Sequence, residues 1–168
     1  MYLILDTNVI VVANGNSAQA SAQCVIECNR ILREIQDGQH ILVLDNACRI
    51  LREYRNNLNL SEEYRPGDRF LKWLLRNLYN PQHCVQVALP LRENATDDND
   101  FAAFPADPRL AKFDLSDRKF VAVALTHPAK PPIYNAVDTD WHDFQEVLEL
   151  DGLKIAFLCR SEMAQHSG

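Results

Sequence analysis

The sequence has little of what marks the specialised classes of protein. Only 5 of its 168 residues are Gly and 8 are Pro, so disordered and collagen-like chains are not expected. No run of 18 or more apolar residues occurs, and no membrane-spanning helix is therefore predicted. The first apolar run is short and is interrupted by Asp6, which does not fit a signal peptide. These absences indicate an ordinary globular protein without a membrane partner.

Cysteine is present without a recognisable pattern. The five cysteines are odd in number and form no CxxC pair. We therefore expect free, mostly buried thiols in a reducing cytoplasm. Cys24 and Cys28 are four residues apart on a predicted helix, a spacing that a metal could use. No matching His/Cys pair occurs elsewhere, so this spacing is better explained by packing.

Excess positive charge is also absent. The formal net charge is −6, which argues against a generic nucleic-acid coat protein. The charge is uneven, since residues 77–153 contain thirteen acidic and six basic residues. This acidic excess needs a structural or functional explanation.

Strand and helix patterns alternate along the chain, and no linker divides it. Its length favours one domain at 1–160, followed by a tail at 161–168. The strands are continuously apolar, as parallel sheets require, so we predict a three-layer α/β/α sandwich with a mostly parallel sheet. A long polar connection covers 90–112. The predicted strands are 2–5, 41–44, 84–89, 133–137 and 153–158; the predicted helices are 17–36, 45 or 46 to 58, 61–78, 114–126 and 140–150.

Two aspartates follow predicted strands directly. Asp6 follows strand 2–5, and Asp138 follows strand 133–137. Ligands of open parallel sheets bind beyond the carboxyl ends of the strands, so both carboxylates stand where such proteins do chemistry. Either aspartate alone is explained as well by a role in a turn or a helix cap.

Two further acidic residues lie on predicted helices. Asp117 continues the buried stripe of its helix at the N-terminal end, although a cap at Asp114 with Asp117 in the first turn explains it too. Glu53 lies at the edge of the stripe that faces the sheet. A surface glutamate paired with Arg49 or Asn57 is the competing explanation.

Gathering these carboxylates at one end of a sheet has a chemical consequence. Their mutual repulsion must be offset by protons or cations. Clusters with only oxygen ligands suit Mg²⁺ or Mn²⁺. A cation held there lowers the pKa of bound water and polarises a phosphoryl oxygen. Metal-dependent hydrolysis of phosphodiesters is the predicted reaction class.

Four fragments of the chain together resemble the PIN-domain ribonucleases. They are LILDTNVI, ILREYRNNL, DLSDRKFVAVAL and IYNAVDTDW, and their order and spacing cover nearly the whole chain. The resemblance implies cleavage of RNA with Mg²⁺ or Mn²⁺ at the carboxyl-terminal edge of the sheet. It also implies frequent use as the VapC-type toxin of a toxin–antitoxin pair. The expected partners are thus an RNA substrate, an antitoxin protein and a second copy of the chain.

The resemblance also assigns roles to residues, with two departures. Ala136 stands where the family often has Ser or Thr, and 59–113 is longer than in the smallest toxins. Asn8 would orient the site and Thr7 would shape the turn, while Asp140 would be a further or water-mediated ligand. The metal ligands and catalytic residues implied by the resemblance are Asp6, Glu53, Asp117 and Asp138.

Basic residues near these acids are candidates for binding the phosphates of RNA. Arg52 lies on the helix of Glu53, and Arg118 and Lys119 follow Asp117. Positioning of phosphates is their functional interpretation, and a solvated helix face is the alternative. Arg49 and Arg55, on the helix of Glu53, are explained equally well by either.

Three other functions remain to be weighed. A haloacid-dehalogenase-type phosphotransferase would need an aspartate where this chain has Asn8. The missing aspartate counts against that function. A catalytically silent PIN-fold binding module and a PIN-like nuclease acting on DNA both stay open.

Overall fold

A computed structural model describes residues 1–61 and 64–160 of the chain. Five strands form one parallel sheet in the order β3-β2-β1-β4-β5. Together with its helices this sheet confirms the predicted three-layer α/β/α fold. The predicted tail at 161–168 lies outside the described residues. The strands are β1 (Tyr2–Leu5), β2 (Ile41–Asp45), β3 (Cys84–Val87), β4 (Ile133–Asn135) and β5 (Ile155–Phe157).

Seven α-helices occur among the described residues. None of these helices is long and apolar enough to cross a membrane. A short 3₁₀ turn, Pro108–Leu110, lies in the long connection before α5. The helices are α1 (Thr7–Ala13), α2 (Ala22–Gln36), α3 (Arg49–Asn57), α4 (Pro66–Asn77), α5 (Arg118–Thr126), α6 (Thr139–Asp143) and α7 (Gln145–Leu150).

The central strand β1 determines where a site can form. Leu3, Ile4 and Leu5 are fully buried, because the sheet is covered on both faces. The chain first adds β2 and β3 on one side of β1 and then β4 and β5 on the other. The strand order therefore reverses at the carboxyl ends of β1 and β4, where open parallel sheets bind ligands.

The structure corrects several predicted helix boundaries. Helix α1 was not predicted, and α2 starts at Ala22 rather than at 17 because Ser21 caps it by accepting from the Cys24 N–H at 3.2 Å. Helix α4 starts at Pro66, where proline favours a first helical position. The predicted helix 114–126 starts only at Arg118, and the predicted helix 140–150 is divided into α6 and α7 at Phe144.

The helix predicted from 45 or 46 begins later, and the carboxylate of Asp45 caps its first turn. Asp45 accepts from the main-chain N–H groups of Arg49 at 2.8 Å and Ile50 at 2.9 Å. The helix itself starts at Arg49, after Cys48 in a left-handed conformation with φ 58°. Asp45 thus satisfies two N–H groups that the first turn leaves without helical partners.

The prediction that all five cysteines are free is wrong. Cys24 and Cys159 form a disulfide with Cα atoms 5.1 Å apart. Cys28, Cys48 and Cys84 keep their thiols. The two bonded residues are 135 positions apart, so no local spacing pattern indicates their pairing.

Candidate metal centre

Asp6 is fixed at the point where β1 becomes α1. Its main-chain N–H donates to the Tyr134 carbonyl of β4 at 3.0 Å, and its carboxylate accepts from the Asn8 N–H at 2.8 Å. Just before it, the Leu5 carbonyl accepts from the hydroxyl of buried Tyr54 at 2.6 Å. Asp6 is therefore a helix cap, as one interpretation predicted, and at the same time a rigidly held carboxylate at the switch point of the sheet.

Asp138 repeats this arrangement at the end of β4. It is the cap of α6, and its carboxylate accepts from the Asp140 N–H at 2.9 Å. Asn135, a buried residue at the end of the same strand, donates to the Asp138 carbonyl at 2.8 Å. Asn8 joins the two strand ends, because it donates to Asn135 at 2.6 Å and accepts from the Ala136 N–H at 2.8 Å.

Asn8 thus contacts both Asp6 and the end of β4, and its orienting role stays a prediction. Sequence reasoning missed Asn135, although a polar residue in an otherwise apolar strand is a visible signal. The N–H of Ala136 is satisfied by Asn8.

Asp117 joins Asp6 and Asp138 in one cluster. It lies immediately before α5 and makes no side-chain capping bond to that helix. One carboxylate oxygen from each of the three residues lies within 4.8 Å of the others. Asp6 is 4% exposed and Asp117 is 8% exposed, while Asp138 is half-buried. Three of the four predicted catalytic acids are thus brought together.

Burial and repulsion raise the pKa values of all three carboxyls. Burial is the main cause of the rise in the pKa of Asp6 to about 7, and the charges of Asp138 and Glu53 add to it. Burial raises the pKa of Asp117 to about 8, again with repulsion from Asp6 and Asp138. The pKa of Asp138 is raised by burial and by repulsion from Asp140 and Asp114. The protein's own charges therefore leave this cluster short of positive charge.

A second acidic group adjoins the first through Asp117. Asp114, Asp117 and Asp140 can also bring one oxygen each within 4.8 Å of one another. Asp140 thus lies beside the cluster, and its role as a further or water-mediated ligand stays a prediction. Asp114 was considered only as a helix cap; its carboxylate instead accepts from the Ser116 N–H at 2.6 Å, in the turn before α5.

Glu53 contacts basic and hydroxyl groups rather than joining either acidic group of the described residues. Its carboxylate accepts from the Thr7 hydroxyl and forms an ion pair with the ammonium of Lys119. Neither Arg49 nor Asn57 is its side-chain partner; Asn57 donates to its main-chain carbonyl at 2.9 Å. Glu53 still contributes to the repulsion felt by Asp6, so it lies at the border of the cluster.

Trp141 contacts the cluster, although the sequence analysis gave it no role beyond its place in the fragment IYNAVDTDW. It is fully buried, and its indole N–H donates to the carboxylate of Asp6. Its ring packs edge-on against Phe113 with centroids 5.2 Å apart. The hydrogen bond lowers the pKa of Asp6, and the packing fixes the direction from which the donor reaches the carboxylate.

The basic candidates differ in what they face. Lys119 is buried and bound to Glu53 and to the Ser116 carbonyl. The guanidinium of Arg118 lies 4.7 Å from the centroid of Phe104. Arg52 is exposed and lines a cavity of about 290 Å³ beside Glu53. This cavity is lined by Arg49, Arg52, Glu53, Asn99, Ser116 and Lys119, among others.

The long connection 88–117 forms one wall of the cavity beside Glu53. We name this cavity the arginine cavity. Asn99 lies in its lining, and the guanidinium of Arg49 lies 5.4 Å from the centroid of buried Phe101. The buried Nε of Arg49 has no hydrogen-bond partner. A larger cavity of about 550 Å³, on the Arg55 side of α3, has no acidic residue in its described lining.

Comparison of the chain with protein-family models, with curated proteins and with solved structures gives no match.

Proposed function

We propose that the protein is a metal-dependent nuclease that hydrolyses phosphodiester bonds of RNA. The observation that carries the proposal is the cluster of Asp6, Asp117 and Asp138 at the switch point of a parallel sheet, with oxygens within 4.8 Å. Acidic residues are common on protein surfaces, but here two of the three are more than nine-tenths buried. Such burial of like charges is unfavourable unless a cation or protons compensate it.

The donor set fits Mg²⁺ or Mn²⁺. All the cluster ligands are carboxylate oxygens, and Asp114 and Asp140 supply further oxygens at the exposed side. Hard divalent cations of this kind prefer oxygen ligands. When bound, such an ion supplies an acidified water and polarises the phosphoryl oxygen. Asp6, Asp117 and Asp138 would hold it, with Asp140 as an outer ligand.

The other residues of the site position these ligands. Asn8 and Asn135 tie the ends of β1 and β4 together, so the separation of Asp6 and Asp138 is fixed by the sheet. Trp141 directs one oxygen of Asp6 and screens it from water. Thr7 and Lys119 hold Glu53 at the border of the site, where the ion pair with Lys119 balances its charge.

The arginine cavity supports a nucleic-acid substrate. Arg49 and Arg52 bring two positive charges to it, and Lys119 balances Glu53. Asn99 adds amide groups that can bind phosphate or sugar oxygens. Because the overall charge is −6, binding of a polyanion must depend on such local groups rather than on a general positive field. The resemblance to PIN-domain ribonucleases favours RNA, and an antitoxin partner and a homodimer stay predictions.

Cleavage of matched oligonucleotides tests the proposal. Labelled single-stranded RNA and DNA of the same sequence are incubated with Mg²⁺ or Mn²⁺, and in parallel with chelator. We expect cleavage of RNA that requires the cation and is lost in Asp6→Asn and Asp117→Asn. Asp107→Asn, a change at an aspartate of the long connection that belongs to neither acidic group, is the matched control and should cleave normally. Unchanged cation-dependent cleavage by Asp6→Asn would refute the site.

Two other outcomes identify the alternatives. Cleavage of DNA in preference to RNA would indicate a DNA nuclease of the same fold. Binding of RNA or Mn²⁺ without cleavage of either substrate would indicate a binding module. Stabilisation by Mn²⁺ against heating separates a site that takes the cation from one that does not.

The role of the arginine cavity is tested separately. Arg52→Glu should weaken RNA binding and make its salt dependence less steep, because fewer counterions are released. Arg76→Glu reverses an exposed charge on α4 and is the control. Equal salt slopes for the two variants would exclude a phosphate-binding role for Arg52.

A further inference from the structure

Three sulfur atoms lie together in the core, in a cluster that the proposed nuclease function does not use. Cys24 and Cys28 are one turn apart on α2, and Cys159 follows β5. Their sulfur atoms lie within 4.8 Å of one another. The three residues are 2%, 0% and 3% exposed. We refer to them as the sulfur cluster.

The sulfur cluster contains one cysteine more than a crosslink needs. The Cys24–Cys159 disulfide joins α2 to the end of the edge strand β5. A crosslink needs two cysteines, but Cys28 places a third thiol at the same point. Residues four apart on a helix point to the same side, so Cys24 and Cys28 both face Cys159.

We propose that reduction of this disulfide creates a site for one thiophilic cation, Zn²⁺ or Cu⁺, bound by Cys24, Cys28 and Cys159. Thiolates are the ligands that select these ions. A zinc–sulfur distance of about 2.3 Å places two sulfurs of a tetrahedral site about 3.8 Å apart. Sulfurs already within 4.8 Å need only small side-chain movements to reach that separation. Cys24 lies in the first turn of a 15-residue helix, where the helix dipole favours a negative ligand.

The two states of the sulfur cluster exclude each other. A phosphine reductant donates two electrons to the disulfide and becomes the phosphine oxide with an oxygen from water, and the two protons of that water complete the thiols of Cys24 and Cys159. Binding of the cation then releases the three thiol protons and forms three metal–sulfur bonds. No cation can bind all three sulfurs while two of them are bonded to each other.

This site and the acidic cluster take different ions. The acidic cluster offers only oxygens and suits hard cations, whereas the sulfur cluster offers only soft ligands. The sulfur site therefore does not depend on the proposed nuclease function, and either proposal can fail without the other.

Spectroscopic titration tests the proposal. The full chain is reduced with a phosphine, desalted without oxygen and titrated with Cd²⁺, whose thiolate complexes have a charge-transfer band in the ultraviolet. We expect one Cd²⁺ per chain with this band, because carboxylates do not produce it. Protein with the disulfide intact should give no band. Displacement by Zn²⁺ and, in a second arm, by Cu⁺ held on a competing chelator shows which ion the site prefers.

Single substitutions provide the decisive comparison. Cys28→Ser keeps the disulfide pair and should lower Cd²⁺ affinity of the reduced protein on the order of 100-fold, since one of three thiolates is lost. Cys84→Ser removes another buried thiol outside the cluster and should bind as wild type does. Thermal unfolding of both variants verifies that they are folded. Equal Cd²⁺ affinities of the two variants, no band in reduced wild type, or a full band in the unreduced protein would each overturn the proposal.

Discussion

Replacing Asp6 by asparagine should make the metal-free protein more stable at pH 8, although it removes a residue of the candidate site. The carboxylate of Asp6 is buried and caps α1. Asparagine is nearly the same size and can accept the same Asn8 N–H. It carries no charge, so the repulsion with Asp138 and Glu53 disappears.

The pKa of Asp6 sets the size of the effect. It rises from 3.8 to about 7 on folding. At a pH between these two pKa values, Asp6 keeps its proton in the folded protein but has released it in the unfolded chain. The free energy of unfolding therefore falls as pH rises through this window and levels off above the folded pKa. A rise of about three pH units corresponds to about 4 kcal/mol at pH 8.

Part of that gain is lost in the variant. The indole N–H of Trp141 donates to the second carboxylate oxygen, and asparagine presents an amide group there, at a cost of about 1 kcal/mol. The net gain at pH 8 is then about 3 kcal/mol, or roughly 6–12 °C in Tm for a chain of this size. Asp117, with a pKa of about 8, acts in the same direction, but the two effects share one repulsion and are not added.

Thermal unfolding followed by circular dichroism in chelator at pH 5 and pH 8 measures the effect. Asp6→Asn should unfold at a higher temperature than wild type at pH 8 and should lose this advantage at pH 5. Mn²⁺ should stabilise wild type at pH 8 and not the variant. Asp107→Asn is the control, because its carboxyl belongs to neither acidic group and its pKa is lowered by Arg109; it should give no gain. A variant less stable than wild type by the same amount at both pH values would show that ionisation of the Asp6 carboxylate does not destabilise the folded protein.

Three further changes probe the support of the site. Trp141→Phe keeps an aromatic ring but removes the donor to Asp6. The smaller ring should lower the Tm of the metal-free protein, and Mn²⁺ affinity, measured from the further shift in Tm on titration, should fall about tenfold; an unchanged affinity would contradict the positioning role. Asn8→Ala removes the side-chain hydrogen bonds that join the ends of β1 and β4, so the free energy of unfolding in urea should fall by about 2–3 kcal/mol. A loss below about 0.5 kcal/mol would mean that water replaces these bonds. Gly67→Ala would place a Cβ 2.6 Å from the Ile10 carbonyl and should destabilise the protein by about 2 kcal/mol or more in the same assay; wild-type stability would show that α4 can move away from α1.

The sheet could be predicted because its signal is local. Residues 2–5 and 41–44 are continuous apolar runs with clear ends, and burial on both faces is what parallel strands need. Helix α1 was not predicted because its sequence is a continuous apolar run, like the sequences of the strands. Val9, Ile10 and Val12 are all buried, so the helix has no polar face and shows no helical period.

The candidate site could be predicted only in part. Asp6 and Asp138 follow strands, and the common edge of a parallel sheet brings such residues together without further information. The partners of Glu53 are set by packing of α3 against α5, and Lys119 lies 66 residues away. No pattern within one helix could have shown that Glu53 would bind a lysine instead of joining the aspartates. The same holds for the disulfide, whose two cysteines belong to elements at opposite ends of the chain.

The bond between Trp141 and Asp6 gives the molecule an optical sensor of its own. The chain has 2 tryptophans, and the other, Trp73, lies on α4 against His83 with centroids 5.1 Å apart. Indole fluorescence responds to a charge placed at its nitrogen, so in a Trp73→Phe background the emission should follow the ionisation of one carboxylate. Its colour would change near pH 7, and paramagnetic Mn²⁺ would quench it. The state of the candidate centre can thus be observed continuously in the folded Trp73→Phe variant, without any attached dye.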